Sequence, residues 1–291
     1  MRDYPSSSGI RPTRRYHRGF ASPSGPGRLL QKARQALHER RPEEALQCTE
    51  EAMQHMGRVG ELLLIRAAAL LDMGHPRIAL SYLDTAIDMD PKNGDLAVER
   101  CRVYVELGDV LGAADDLREL TELYPSDPEI LHLRAMSEEL LGNNTDAERF
   151  YRDAAALDDN AFPSPFRVPA EVIVSEARAI LQALPNTLEK QDIRPGLQVF
   201  PVPPMALSPG EPVPFPPTML GVCLEVGDLN DGGMVRSIAD PICMILFQRN
   251  IERSVRSMDE LKDQIRQTII IELAHHLKLS ESETNQALDG L

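Results

Sequence analysis

The chain contains no tryptophan, few other aromatic residues and only four cysteines. Aromatic residues make up 4% of its 291 residues. Cys48, Cys101, Cys223 and Cys243 lie far apart without a C-x-x-C pair, so we expect buried thiols that act as small hydrophobic side chains. The sequence has no apolar run long enough for a transmembrane helix, and its N-terminus lacks the apolar core of a secretory signal. We therefore expect a cytoplasmic protein that does not enter a membrane.

Basic residues are in the minority. The chain has 31 Lys and Arg against 45 Asp and Glu, which gives a formal net charge of −14. Such a chain repels a phosphate backbone, so nucleic acid is not expected as the main partner. Residues 1–27 are the exception, being rich in Arg, Ser, Pro and Gly with hardly any aliphatic side chains. This composition predicts a disordered basic tail, with a transit peptide as the alternative.

Residues 28–160 repeat with a period of 34. One series of small residues comprises Ala45, Ala79, Ala113 and Ala147. A second series, twelve positions earlier, comprises Ala33, Ala67, Cys101 and Ala135. A third, seven positions after the second, comprises Arg40, Gly74, Gly108 and Gly142. This pattern resembles the tetratricopeptide repeat, whose unit is a helix–turn–helix of 34 residues. The resemblance implies an all-α solenoid of four units over residues 28–160.

Tetratricopeptide arrays bind protein or peptide partners on a concave face formed by the first helix of each unit. The resemblance maps this groove onto Arg34, Leu64, Ala68, Leu71, Asp72, Arg102, Val105, Glu106, His132, Met136 and Glu139. Acidic side chains outnumber the two arginines there, so we expect basic or apolar peptides rather than acidic ones. Residues 1–27 could fold back as an internal ligand, and a merely solvated charged face is the alternative.

The sequence changes character after residue 163. A helix over 170–184, ended by Pro185, precedes three predicted strands at 197–200, 220–226 and 242–247, and a long final helix over 258–278. Ser257 and Glu260 form a capping-box pattern at the start of that helix. Residues 201–217 include eight prolines and predict an extended surface loop, with a ligand for another protein as the alternative. Residues 227–233 form a Gly-rich turn whose acidic spacing does not fit a calcium loop.

The final helix contains an incomplete zinc-protease motif. The motif His-Glu-x-x-His places two ligating histidines on one helical face, with a glutamate that activates water. The corresponding residues here are Ile271, Glu272 and His275. Isoleucine has no lone pair to offer a metal, and we expect Ile271 to be buried against the sheet.

Residues 163–291 resemble the small bacterial zincin-like metallopeptidases, which implies a small α+β domain. The matching positions are Ala177, Leu184, Pro185, Leu220, Gly221, Asp240, Ile242, Arg266, Thr268, Glu272, His275, His276, Leu279, Ser280 and Glu281. Three positions depart from the pattern, with Ile271 at the first zinc ligand, Lys278 at a turn glycine and Ala239 at a proline. The resemblance implies Glu272 as a vestigial general base and His275 with Glu281 as vestigial metal ligands.

Two functions are compatible with these features. The first is an interaction scaffold whose degenerate zincin-like domain has lost its catalytic zinc and needs no cofactor. The second is a zinc-dependent metallopeptidase whose repeats recruit protein substrate. In the second case zinc would bind weakly through His275, Glu281 and Glu283, or through His276 and Glu272 on an adjacent helical face.

Overall fold

The computed structural model describes residues 26–184, 188, 195–205, 215–225 and 242–289. The predictions for residues 1–25, Pro185, the turn at 227–233, Ala239 and Asp240 lie outside these ranges. The chain divides into two compact units. The first comprises Met1–Ser164 and Pro204–Thr218, and the second comprises Pro165–Pro203 and Met219–Leu291. Of the range Pro204–Thr218, the structure describes residues 204–205 and 215–218.

The described part of the first unit contains eight helices in four consecutive pairs. They are α1 (Pro26–His38), α2 (Pro42–Met56), α3 (Gly60–Asp72), α4 (Pro76–Met89), α5 (Gly94–Leu107), α6 (Val110–Leu123), α7 (Pro128–Leu140) and α8 (Asn144–Asp158). Each helix packs on the next along the chain. The predicted all-α repeat architecture is confirmed.

The repeating small residues lie where the helices meet. The alanines of both small-residue series, together with Cys101, are at most 1% exposed. A larger side chain at these positions would push the helix axes apart. This constraint explains why a small residue recurs at the same position of each repeat. Burial also raises the pKa of the Cys101 thiol to about 12, so this cysteine acts as a neutral core residue.

Turn geometry explains the third series. Gly74, Gly108 and Gly142 have φ values of 76°, 75° and 83°, a left-handed conformation that glycine adopts without steric cost. Arg40 takes the same role in the first repeat with φ of 58°. The first helix of every repeat therefore ends one or two residues before a member of this series.

The second unit is α+β, as predicted. It contains α9 (Ala170–Gln182), β1 (Gly196–Phe200), β2 (Gly221–Glu225), β3 (Ile242–Phe247), α10 (Gln248–Ser254), α11 (Met258–His276) and α12 (Glu281–Asp289). The strand order is β1-β3-β2, with β1 parallel and β2 antiparallel to the central strand β3. The three strand predictions are confirmed to within one residue.

Helix α11 packs closely on β2. Its residues Leu261, Ile265, Ile269 and Leu273 are at most 1% exposed and form one cluster with residues of the sheet. At Gly221 an added Cβ would lie 2.8 Å from the carbonyl oxygen of Ile245 and 2.9 Å from Cγ2 of Thr268. Glycine therefore sets the distance between the sheet and the helix that carries the motif.

Glu252 forms hydrogen bonds with the first residues of the second unit. Its fully buried carboxylate accepts hydrogen bonds from Nη1 of Arg167 at 2.8 Å, the backbone N–H of Val168 at 3.1 Å and Nε2 of Gln248 at 2.8 Å. The backbone N–H of Phe166 donates to the Glu252 carbonyl at 3.0 Å. Residues 166–168 are thereby fixed to α10.

Candidate functional site

The motif lies in the last turns of α11, whose start is capped as predicted. The side chain of Ser257 accepts from the backbone N–H of Glu260 at 3.2 Å. The Glu260 carboxylate in turn accepts from the backbone N–H of Arg256 at 2.7 Å, so the reciprocal bond reaches one residue further back than in a standard capping box.

Ile271 projects toward solvent. Its side chain is 41% exposed, so the prediction that it is buried against the sheet is wrong. The core stripe of α11 runs through Ile269, Ile270 and Leu273, which leaves residue 271 on the opposite side of the helix. An aliphatic group thus stands, accessible to water, at the position of the first zinc ligand.

Glu272 is partly buried between α11 and the edge strand β2. Burial raises the pKa of its carboxyl group to about 7, and a hydrogen bond from the backbone N–H of Cys223 opposes this rise. A carboxylate with a pKa near 7 suits a general base. The same pKa also follows from burial alone, so it does not by itself indicate catalysis.

The predicted metal ligands His275 and Glu281 do not form a cluster with a third side chain that could bind a metal. His275 is exposed in the last turn of α11, and Glu281 is exposed at the first residue of α12. Glu283 instead accepts from the backbone N–H and hydroxyl of Ser280 at 2.8 and 2.6 Å. Over the described ranges, no group of three or more His, Cys, Asp or Glu side chains could hold a metal. These residues do not fit a catalytic zinc site, which needs three protein ligands.

Lys278 keeps the turn for which the family pattern has glycine. Its φ is 55°, in the left-handed region. The backbone N–H of Lys278 donates to the carbonyl of His275 at 3.1 Å, and that of Leu279 donates to Ala274 at 3.0 Å. The chain therefore turns after α11 despite the side chain, at a cost in backbone strain.

The predicted groove residues of the first two repeats are half-buried or buried. Arg34 forms an ion pair with Glu61, and Asp72 lies 3.6 Å from a guanidinium nitrogen of Arg40. Burial raises the pKa of Asp72, although Arg40 and Arg102 oppose the shift. Leu64 and Leu71 are half-buried, and Ala68 is 9% exposed.

The structure differs from the predicted groove in the third and fourth repeats, because several of those residues are occupied by contacts within the array. Arg102 is buried and forms ion pairs with Glu129 of α7 and, at 3.9 Å, with Glu99 of its own helix. The hydroxyl of Tyr151 donates to Glu139 at 3.1 Å.

His132 also lies among aromatic side chains, with ring centroids 5.3 Å from Tyr151 and 5.4 Å from Phe162. Val105 and Met136 are buried. The third and fourth repeats therefore offer fewer open groove positions than the register predicts.

Glu106 is half-buried near the end of α5 and has a partner that the sequence did not suggest. The hydroxyl of Thr218 donates to its Oε2 at 3.3 Å. Periodicity could not reveal this contact because 112 residues separate the two positions. The acceptor role of Glu252 was missed for a similar reason, since Arg167 lies 85 residues away in sequence.

The sequence matches two protein families. The tetratricopeptide repeat family matches residues 70–137, and the zincin-like metallopeptidase family matches residues 202–289. The chain thus combines a tetratricopeptide region with a zincin-like domain. Among curated proteins, no sequence matches it significantly. Within the described residues, no helix has the length and apolar character that crossing a bilayer requires.

Several solved structures resemble the repeat region. MamA from Desulfovibrio magneticus RS-1 is 19% identical, with a TM-score of 0.41 over 47% of this chain and 78% of that one. TTC0263, a thermophilic TPR protein in Thermus thermophilus, is 20% identical, with a TM-score of 0.44 over 57% and 86%. YrrB, described as a TPR protein with an unusual peptide-binding site, is 15% identical, with a TM-score of 0.41 over 48% and 72%.

Proposed function

We propose that this chain, which joins a tetratricopeptide region to a zincin-like metallopeptidase domain, is an interaction scaffold whose second domain has lost catalytic zinc. Ile271 carries the proposal, because its exposed side chain occupies the first ligand position and cannot bind a metal. The fold of the domain does not require a metal. The tight packing at Gly221 and the buried stripe of α11 hold the motif helix on the sheet.

The proposed partner is a protein or peptide of basic or apolar character, and not nucleic acid. Both arginines predicted for the groove form ion pairs inside the array, Arg34 with Glu61 and Arg102 with Glu129. Capture of an acidic peptide needs cations aimed at its carboxylates, and these two are already engaged. Acidic side chains outnumber basic ones in the predicted groove set, and this balance favours donors or positive charge in the partner.

Cytoplasmic residence is part of the same proposal. All four cysteines are free and buried, as suits a compartment that keeps thiols reduced. The predicted domains, with a basic tail over 1–27, repeats over 28–160 and the degenerate domain over 163–291, are kept as the working division.

Two measurements test this function. In the first, the melting temperature of the full chain should not change when a strong chelator is added, because no bound metal contributes to its stability. In the second, immobilised acidic, basic and apolar peptides are compared for retention of the full chain. Retention by acidic C-terminal peptides alone would contradict the proposed partner class.

A zinc-dependent metallopeptidase that recruits substrate through its repeats is the second candidate. Glu272 and His275 favour it, because they keep the general-base and second-ligand positions of the motif, and a pKa of about 7 suits such a base. In that case Glu272 would act as the base, with His275 and Glu281 in a non-standard ligand set. A drop in melting temperature on chelation, absent in a His275→Ala variant, would favour this candidate.

A further inference from the structure

We propose that residues 215–218 occupy the repeat groove at α5 as an internal ligand, and that the external partner binds there through the same chemistry. That partner is a proline-rich peptide that carries a hydroxyl donor. The inference rests on the proposed peptide-binding function of the repeats and specifies its ligand. It differs from the predicted role of the basic tail, which lies outside the described residues.

The position of this segment is the first observation. Along the chain it lies between β1 and β2, yet residues 215–218 group with the first unit. A loop that only joined two strands would extend into solvent or cover its own sheet. Pro217 is instead buried and Thr218 is only 8% exposed. Two residues of the segment are therefore buried, and the segment groups with the first unit.

A hydrogen bond links the segment to α5. The hydroxyl of Thr218 donates to Oε2 of Glu106 at 3.3 Å. Glu106 lies on α5, the first helix of the third repeat, and belongs to the set that the repeat register assigns to the groove. An ionised carboxylate can only accept hydrogen bonds, so this position selects for a donor in the ligand.

The residues of the segment define the ligand class. Pro216 and Pro217 fix φ and lack backbone N–H groups, so a peptide of this type loses little backbone entropy on binding. The first helices of the second and third repeats carry the half-buried carboxylates Asp72 and Glu106. A carboxylate on the ligand that faced Glu106 would be repelled by it. A proline-rich peptide with Thr or Ser at its end satisfies both conditions.

Internal occupancy makes the groove self-inhibited. A tethered segment competes at an effective concentration on the order of millimolar. A free peptide of moderate affinity therefore binds the intact chain weakly and binds more tightly once the segment is displaced. An external partner must therefore have a higher affinity for the groove in order to displace the segment.

The first test asks whether the segment is bound. Thr218→Glu places a carboxylate against Glu106 in the full-length chain, with Thr218→Gln as a neutral control of the same size. We expect thermolysin to cleave the 215–219 segment roughly tenfold faster in Thr218→Glu, as followed by mass spectrometry, because repulsion displaces it. Adding Glu106→Lys should restore the slow rate. An unchanged rate in Thr218→Glu would overturn the proposal.

The second test asks whether an external peptide takes the vacated place. The probe is a fluorescent peptide with the sequence of residues 213–219, titrated into the wild-type chain and the Thr218→Glu variant. We expect about tenfold tighter binding to the variant, and loss of that gain when Glu106→Gln is added. Equal binding to both chains despite faster cleavage would overturn the ligand class.

The two tests also separate this inference from the proposed function. Cleavage reports the internal contact whether or not any partner binds, so its failure removes the inference alone. Retention of basic or apolar peptides with unchanged cleavage would keep the scaffold function and reject the internal ligand. Faster cleavage without binding of any peptide class would instead contradict the scaffold function.

Discussion

Nη1 of Arg167 lies 2.8 Å from Oε2 of Glu252, a carboxylate with no exposed surface. Replacing Glu252 with Ala would leave a partly buried guanidinium and the N–H of Val168 without this acceptor. We expect Glu252→Ala to lower the free energy of unfolding by about 3–5 kcal/mol, the usual cost of breaking a buried ion pair. Denaturant titration of the full chain measures this loss.

A surface ion pair provides the matched control. Glu176 lies 3.7 Å from Lys262, and both side chains are substantially exposed. Glu176→Ala should change the free energy of unfolding by less than about 1 kcal/mol. Equal effects of the two substitutions would show that Glu252 does not anchor residues 166–168.

Gly221 controls the approach of α11 to the sheet. A methyl group there would lie 2.8 Å from a backbone carbonyl oxygen, which cannot move as a flexible side chain would. We expect Gly221→Ala to lower the free energy of unfolding by about 1–3 kcal/mol. Gly60→Ala is the control, since no atom lies within 4 Å of an added Cβ there. A neutral Gly221→Ala would mean that the helix is not tightly seated.

Lys278 has a left-handed backbone with φ of 55°. We expect Lys278→Gly to raise the melting temperature, because glycine removes about 1 kcal/mol of backbone strain. Lys278→Ala removes the charge but keeps the strained conformation, so it should give no comparable gain. Equal stabilisation by both variants would assign the effect to charge and not to the backbone.

Glu272 should make stability depend on pH. Burial raises its folded pKa from 4.5 to about 7, so between these values the native state binds more protons than the unfolded state. The free energy of unfolding therefore falls as pH rises through this window, by up to about 3 kcal/mol for this group. Glu272→Gln should match the wild type near pH 5 and exceed it in stability near pH 8. Parallel pH profiles for the two proteins would contradict the assigned burial.

The sequence predicted local and periodic features well. The spacing of small residues located all four helix pairs, and the predicted strands lie within one residue of the observed ones. Residues whose roles depend on distant partners were not predictable. Glu252, Thr218 and Glu129 each act through a residue far away in sequence. Ile271 was misplaced because its aliphatic character suggested burial, whereas the helical register of α11 turns it outward.

The zinc content of the purified, untagged full-length chain tests the central claim most directly. Ile271→His, which supplies the missing imidazole, serves as the positive control. Elemental analysis should find far less than one zinc per wild-type chain, and zinc affinity should rise on the order of a hundredfold in Ile271→His. One zinc per wild-type chain, lost in His275→Ala, would contradict the account and make the domain a metalloprotein.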